Sequence, residues 1–164
     1  MHATDCLSPA ARALTLEVLA LASWADGRVS PAELSAARGA AIALALLGPL
    51  DGACGALVAR PRALAELDFG ALTTRERQLV LAAAAWMTLV DAKRTPAEGE
   101  WLDELARRAE LDDETAELLF DVAYWVRLVR PRGATWAHEF DRLIRVTDGA
   151  LGPARPPAAL RPAG

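Results

Sequence analysis

The sequence predicts an all-α fold: a single-domain helical bundle of about seven or eight helices with an internal helix-hairpin duplication. Three observations lead to this prediction. The chain has 164 residues, 53% hydrophobic and 24% charged, which is enough apolar surface for one buried core. Apolar residues recur at helical spacing, and no segment alternates between apolar and polar residues as a strand would. One connection between helices also occurs twice, with the same residue types at the same spacing.

The predicted helices of the first half of the chain are introduced by capping signals. Ser8-Pro9 and Ser30-Pro31 each place a hydroxyl cap before a proline, which suits the first turn of a helix. Gly27 can stop the first of these helices. The helices of this half are predicted over residues 9–25, 31–47 and, as one or two short pieces, 50–69.

In the second half, an apolar segment predicts the central helix. Residues 79–90 are apolar almost all round, so the helix that contains them is expected in the middle of the domain. Asp112 is expected to cap a later helix, whose inward stripe is predicted to be Leu118, Leu119, Val122, Trp125, Val126 and Val129. The helices of this half are predicted over residues 74–91, 95–111, 112–130 and 135–147.

The ends of the chain are expected to lie outside the packed domain. Residues 1–8 are predicted to be a flexible N-terminus, and residues 9–147 to form the helical domain. Residues 148–164 are rich in proline, alanine and glycine, so they are predicted to be a disordered tail.

Charge and cysteine usage exclude several classes of function. The net charge is −4, and the acidity is concentrated in residues 91–121, so binding to nucleic acid is not expected.

Cys6 and Cys54 lack the close spacing of a zinc site or a disulfide framework, which predicts a reducing, cytoplasmic location. No signal peptide is apparent at the start of the chain. The longest uncharged stretches, residues 39–50 and 78–90, are shorter than the ~20 residues that span a bilayer, so direct membrane insertion is not expected.

The repeated connection becomes visible when the chain is compared with itself at an offset of 65 positions. Residues 25–33 read A-D-G-R-V-S-P-A-E, and residues 90–98 read V-D-A-K-R-T-P-A-E. Each copy joins an apolar helix to a helix that starts with proline, which indicates two related helix hairpins. The duplication suggests pseudo-twofold packing of the two halves.

A helix followed by Ala-Asp-Gly and then Ser-Pro-Ala-Glu, with a second degenerate copy, resembles the TerB-like family. That family is associated with bacterial tellurite resistance, and it also occurs in the N-terminal part of some membrane-linked J-domain cochaperones. The resemblance covers residues 10–147 and implies an all-helical bundle linked to tellurite or other chemical stress, with no enzymatic activity. It also implies an acidic surface associated with a divalent metal ion, such as calcium, magnesium, manganese or zinc. The acidic residues of the family map onto Asp26, Glu33, Asp91 and Glu98.

Two readings of these four carboxylates remain open. Hard oxygen ligands of this kind suit divalent metals, but two carboxylates per turn make a poor site, and no calcium-loop motif is present. Alternatively, Ser30 and Glu33 form a capping box, and Asp26 closes the preceding turn. The second copy departs from the family pattern, because Ala92 replaces the glycine and Lys93 and Arg94 add positive charge, which weakens a metal site there.

Other charged and aromatic residues have less specific interpretations. An acidic set could form a docking face for a basic partner, or could be solvated helix exterior: Glu98, Glu100, Asp103, Glu104, Glu110, Asp112, Asp113, Glu114 and Glu117. His138, beside Glu139, is expected at the surface, because no Ser or Cys nucleophile is near it in sequence. The five tryptophans are expected to pack in or near the core: Trp24, Trp86, Trp101, Trp125 and Trp136.

Two functional hypotheses follow. The first is a non-enzymatic TerB-like module that associates with a divalent metal or with a membrane-bound stress-response partner through the acidic turns. The second is a metal-free adaptor for protein–protein interaction, in which the same acids cap helices. A helical hydrolase using Asp26 and Glu33 is remote, because no reaction partner for them can be named. The oligomeric state is not determined by the sequence.

Overall fold

The structure is a computed structural model, and it describes residues 2–46, 63–91 and 94–152. In these ranges the fold is all-helical and contains no strand, which confirms the predicted fold class. A short 3-10 helix, Leu64–Glu66, lies in the region predicted to hold short helices, most of which falls outside the described residues. The α-helices of the described residues are α1 (Ala3–Cys6), α2 (Pro9–Ser23), α3 (Pro31–Ala43), α4 (Thr74–Met87), α5 (Pro96–Arg108), α6 (Asp113–Leu128) and α7 (Trp136–Ala150).

Several helices end earlier than predicted, and local caps explain two of these ends. Helix α3 stops at Ala43 rather than near residue 47, because Ala45 adopts a positive φ of 52° and the Leu46 amide donates to the Ala41 carbonyl at 3.0 Å. Helix α5 ends in the same way: Glu110 has a φ of 58°, and the following amide bonds back to Ala106. Such a left-handed cap satisfies free carbonyls at the helix end even where the residue is not glycine.

Both ends of the chain differ from the prediction. The segment predicted as a flexible N-terminus contains helix α1, which packs on α7, and Ala3 and Leu7 are buried. The Ala3 amide donates to Asp141 Oδ1 at 2.8 Å. At the other end, α7 continues to Ala150, three residues beyond the predicted boundary, and Asp148 accepts a hydrogen bond from Arg75 Nε at 2.8 Å. Residues 153–164, most of the predicted tail, lie outside the described residues.

Helix α4 is the centre of the bundle, as its apolar sequence predicted. Every residue from Leu79 to Met87 is buried, and the helix packs against α2, α5, α6 and α7. Fully burying a large aliphatic side chain contributes about 1.5–3 kcal/mol, so this nine-residue segment is a major source of stability.

The close approach of α3 to α7 depends on one glycine. A Cβ atom added to Gly39 in α3 would lie 2.4 Å from the Cβ of Trp136 and 2.8 Å from the backbone nitrogen of Ala137 in α7. No side chain fits in that space. The hydrogen atom of Gly39 therefore allows α3 and α7 to pack backbone to backbone.

The two hairpins have matching local structure. Helices α3 and α5 are both 13 residues long, and each begins at a proline after a complete capping box. Their bounds, Pro31–Ala43 and Pro96–Arg108, are 65 residues apart, as are the starts of α2 and α4 at Pro9 and Thr74. This correspondence concerns helix lengths and caps. The predicted duplication and its pseudo-twofold packing remain a prediction.

Candidate functional site

The first acidic turn is held by hydrogen bonds within the turn and at the start of α3. Asp26 Oδ1 accepts from the Arg28 amide at 3.1 Å, and Gly27 supplies a left-handed conformation with a φ of 90°. Ser30 Oγ accepts from the Glu33 amide at 3.2 Å, while Glu33 Oε2 accepts from the Ser30 amide at 2.8 Å. Glu33 therefore forms the capping box that was one of the two open readings.

The fold brings the second acidic turn against the first. Ser30 Oγ donates to Asp91 Oδ1 at 3.0 Å, which joins the start of α3 to the segment after α4. Burial raises the pKa of Glu33, and the negative charges of Asp91 and Asp26 raise it further, against hydrogen bonds from Ser30. Two of the four predicted carboxylates, Asp91 and Asp26, thus act electrostatically on a third, Glu33.

Glu98, the fourth predicted residue, is used for capping. Its Oε2 accepts from the Thr95 amide at 2.5 Å, and its own amide donates to Thr95 Oγ1. Arg94 donates to Thr88 Oγ1 at 3.2 Å and lies over the ring of Phe120, so this cation of the second turn is packed against the protein. Lys93 lies outside the described residues.

The described carboxylates do not form a ready-made metal site. Within residues 2–46, 63–91 and 94–152, no three His, Cys, Asp or Glu side chains are placed so that they could hold a metal ion. Asp26, Glu33 and Asp91 are neighbours, but each has a hydrogen bond within the protein. A cation at this place would therefore need water or further oxygen atoms to complete its shell.

A larger acidic feature lies between α5 and α6. The two helices line a groove of about 770 Å³ whose apolar lining is Ala106, Leu111, Ala116 and Phe120. Five members of the predicted acidic set line the same groove: Glu100, Asp103, Glu104, Asp113 and Glu117. Arg107 is the one basic residue of this lining, and it is ion-paired with Glu104. The groove combines an apolar surface with a strong excess of negative charge.

The other members of the acidic set have separate roles. Asp112 caps α6 by accepting from the Thr115 amide at 2.7 Å, and Glu110 pairs with Arg77. Glu114 is exposed on α6 outside the groove lining. The sequence identified the acidic residues, but only the placement of α5 and α6 on the two sides of the groove separates the groove acids from the caps.

Sequence reasoning missed a buried ionic network between α4, α6 and α7. Glu139 Oε1 accepts from Trp86 Nε1 and from Arg127 Nη1, each at 2.8 Å, and its Oε2 lies 2.9 Å from Arg130 Nε. Both guanidinium groups also lie over the ring of Trp136. Two features of the sequence could have indicated this network: Glu139 lies on the apolar side of a helix, and two arginines lie three residues apart near the end of α6.

His138 and the buried Trp86 lie where the sequence predicted, but part of the predicted inward stripe of α6 does not. His138 is exposed, and Trp86 is fully buried. Trp125 was predicted to face the core but is 46% exposed. Leu118 and Val129, from the same predicted stripe, are also exposed, because the buried side of α6 is centred on Leu119, Ala123 and Val126.

The fold and these surfaces define an all-helical bundle with an acidic groove. No family model matches the chain, and no curated protein or solved structure matches it. None of the helices in the described residues is both long and apolar enough to cross a bilayer.

Proposed function

We propose that this chain is a non-enzymatic protein-interaction module that binds a basic, amphipathic segment of a partner protein in the α5–α6 groove. The observation that carries the proposal is the placement of five carboxylates around an apolar lining. Glu100, Asp113 and Glu117 have no ion pair with any described residue, so their charge is available to a ligand. Basic side chains of the partner would pair with the carboxylates of the groove walls, and its apolar side chains would pack against the apolar lining.

The wider setting of this proposal comes from the sequence motif. The two Asp-to-Glu connections support a TerB-like assignment, and with it a cytoplasmic location and a partner in a membrane-associated or stress-response complex. Tellurite is one such stress. Under this proposal Asp26 and Glu33 have no catalytic role, because both carboxylates are used in turn and cap hydrogen bonds.

A peptide titration tests the groove. The probe is a synthetic helical peptide with lysines along one face and leucines along the other, and fluorescence anisotropy measures its affinity. Glu100→Lys and Glu117→Lys, on opposite walls, should each weaken binding at least tenfold, and added salt should weaken binding to the unaltered protein. Glu66→Lys is the matched control, since it makes the same charge change at an exposed position away from the groove.

The pattern among these variants decides the outcome. Equal weakening by all three substitutions would show that only net charge matters, and the groove proposal would fail. Absence of binding to the unaltered protein at low salt would also overturn it. Circular dichroism of each variant confirms that the helical fold is retained.

A divalent cation at the two acidic turns is a second candidate. It is favoured by the hydrogen bond from Ser30 to Asp91, which joins the turns, and by the repulsion that the negative charges of Asp91 and Asp26 exert on Glu33. A cation there would relieve that repulsion, with water supplying the remaining ligands.

Thermal melts with calcium, magnesium, manganese or zinc test the second candidate. An ion bound only by the folded state must raise the melting temperature when its concentration is well above its dissociation constant. The double variant Asp26→Asn, Asp91→Asn should lose the shift. If no ion shifts the unaltered protein, the acidic turns are structural only.

A further inference from the structure

Helix α6 has a largely exposed apolar face, on which one other side chain, Arg142 of α7, lies over the ring of Trp125. Leu128 is 68% exposed, Tyr124 58%, Trp125 46% and Leu118 42%, which makes this the main concentration of exposed large hydrophobic residues in the described chain. The one other such residue outside this helix and its C-cap is Ile42 on α3. Exposed apolar residues grouped in this way mark an interaction surface more often than residues scattered singly.

Several exposed residues of α6 recur at helical spacing and form one continuous stripe. The stripe contains Glu114, Leu118, Asp121, Trp125 and Leu128, and the exposed Arg132 follows in the turn after the helix. We name this set of six residues the α6 stripe. It begins with a negative charge and ends with a positive one, and its middle is mostly apolar.

The α6 stripe is complementary in charge to a second copy of itself that runs in the opposite direction. If two stripes pack antiparallel about a twofold axis near residue 123, Glu114 lies opposite Arg132 of the partner subunit. In the same register Leu118 lies opposite Leu128 of the partner subunit, and Asp121 lies opposite Trp125 of the partner subunit, whose indole N–H can donate to a carboxylate. All six positions of the stripe are then matched in charge or polarity, as an isologous interface requires.

The charges of the α6 stripe also indicate which kind of partner binds it. An anionic lipid surface would meet the carboxylates of Glu114 and Asp121 within the stripe, and like charges repel. A second copy of the chain instead offers Glu114 an opposite charge, because the acidic end of each stripe faces the basic end of the other.

We propose that the chain forms a twofold-symmetric homodimer through antiparallel contact of its α6 stripes. One helix face is smaller than the surface buried in tight complexes, so the dimer exchanges with monomer as concentration changes. The contact is separate from the proposed peptide groove, since none of the six stripe residues lines that groove.

Sedimentation equilibrium of the full chain over a range of concentrations tests the dimer. The unaltered protein should shift from monomer to dimer, and Leu128→Glu should weaken association at least tenfold. Ile42→Glu is the matched control, because it places the same charge on an exposed apolar position of α3, and it should leave association unchanged. A chain that stays monomeric up to about 1 mM overturns the proposal.

Charge reversal distinguishes the antiparallel register from other contacts. Glu114→Arg and Arg132→Glu should each weaken self-association, since each creates two like-charge pairs across the twofold axis. The double variant should regain association, and an equimolar mixture of the two single variants should form heterodimers. If the double variant associates as weakly as the single variants, the proposed register is wrong.

Discussion

Ser30 Oγ lies 3.0 Å from Asp91 Oδ1 and joins two connections that are 61 residues apart in the chain. The same hydroxyl accepts from the Glu33 amide, so the cap of α3 is anchored to the end of the α4 segment. The two acidic turns are therefore parts of one local structure.

A double-mutant cycle measures this link. Ser30→Ala removes both the cap and the bond to Asp91, and should lower the free energy of unfolding by about 0.5–2 kcal/mol. Asp91→Ala removes the bond and the negative charge beside Glu33, but leaves the cap in place. Urea unfolding of both single variants and the double variant should give a coupling energy of about 0.5–1.5 kcal/mol. A coupling of zero would mean that the contact does not stabilise the fold.

Two glycine substitutions should have opposite effects. Gly39→Ala would force its methyl group against Trp136 and the α7 backbone, so it should destabilise the protein by about 1–3 kcal/mol. Gly99→Ala, near the start of α5 with open space around its Cβ position, should stabilise it by up to about 1 kcal/mol. Thermal or chemical unfolding compares the two variants directly. Equal effects would contradict the close packing of α3 on α7.

Removing the buried carboxylate of Glu139 should be costly. Glu139→Gln leaves Arg127 and Arg130 without their counter-charge, and breaking a buried ion pair from one side costs about 3–5 kcal/mol. Glu104→Gln, which breaks ion pairs at the surface, should change stability by less than about 1 kcal/mol. Denaturant midpoints measure the contrast. A small effect at Glu139 would mean that the network adds little to stability.

Two capping glutamates should give opposite pH dependence. Burial and neighbouring carboxylates raise the pKa of Glu33, so above its ordinary value of 4.5 the folded state holds more protons there than the unfolded state. The stability that the protonated Glu33 contributes is therefore fully present below pH 4.5 and is lost as the pH rises through the raised pKa.

For Glu76, burial acts to raise the pKa, but hydrogen bonds from Ser8 and Thr73 outweigh it and hold the pKa below 4.5. The stability it contributes is present above 4.5 and is lost as pH falls through the lowered pKa.

Urea unfolding of Glu33→Gln and Glu76→Gln across the acidic and neutral range measures these contributions. Glu76→Gln should cost more stability at neutral pH than at acidic pH, and Glu33→Gln should show the reverse. Parallel pH profiles for the two variants would contradict the pKa directions.

Local signals in the sequence predicted the helices well. Helices begin where expected after the caps Ser8, Ser30 and Asp112, the first two of which precede a proline. These starts are predictable because a cap depends on residues within one turn of the chain. The C-terminal ends of α3 and α5 were harder to predict, since Ala45 and Glu110 adopt left-handed conformations that their residue types do not signal.

Which side chains lie at the surface and line the groove was less predictable from the sequence than where the helices begin. Leu118, Trp125 and Val129 fit an apolar stripe, but the packing of α6 rotates them toward solvent. The five groove acids could be recognised as acidic, yet their common position depends on how α5 and α6 are placed around the groove.

Local sequence patterns were sufficient to predict the all-helical class, the central apolar helix and the two Asp-to-Glu connections, because periodicity and capping act over a few residues. Tertiary structure alone decided that Ser30 meets Asp91, that Glu139 is buried between two arginines, and that α6 leaves an apolar face exposed. Each of these depends on contacts between helices, and side-chain burial depends on which neighbours arrive from distant parts of the chain.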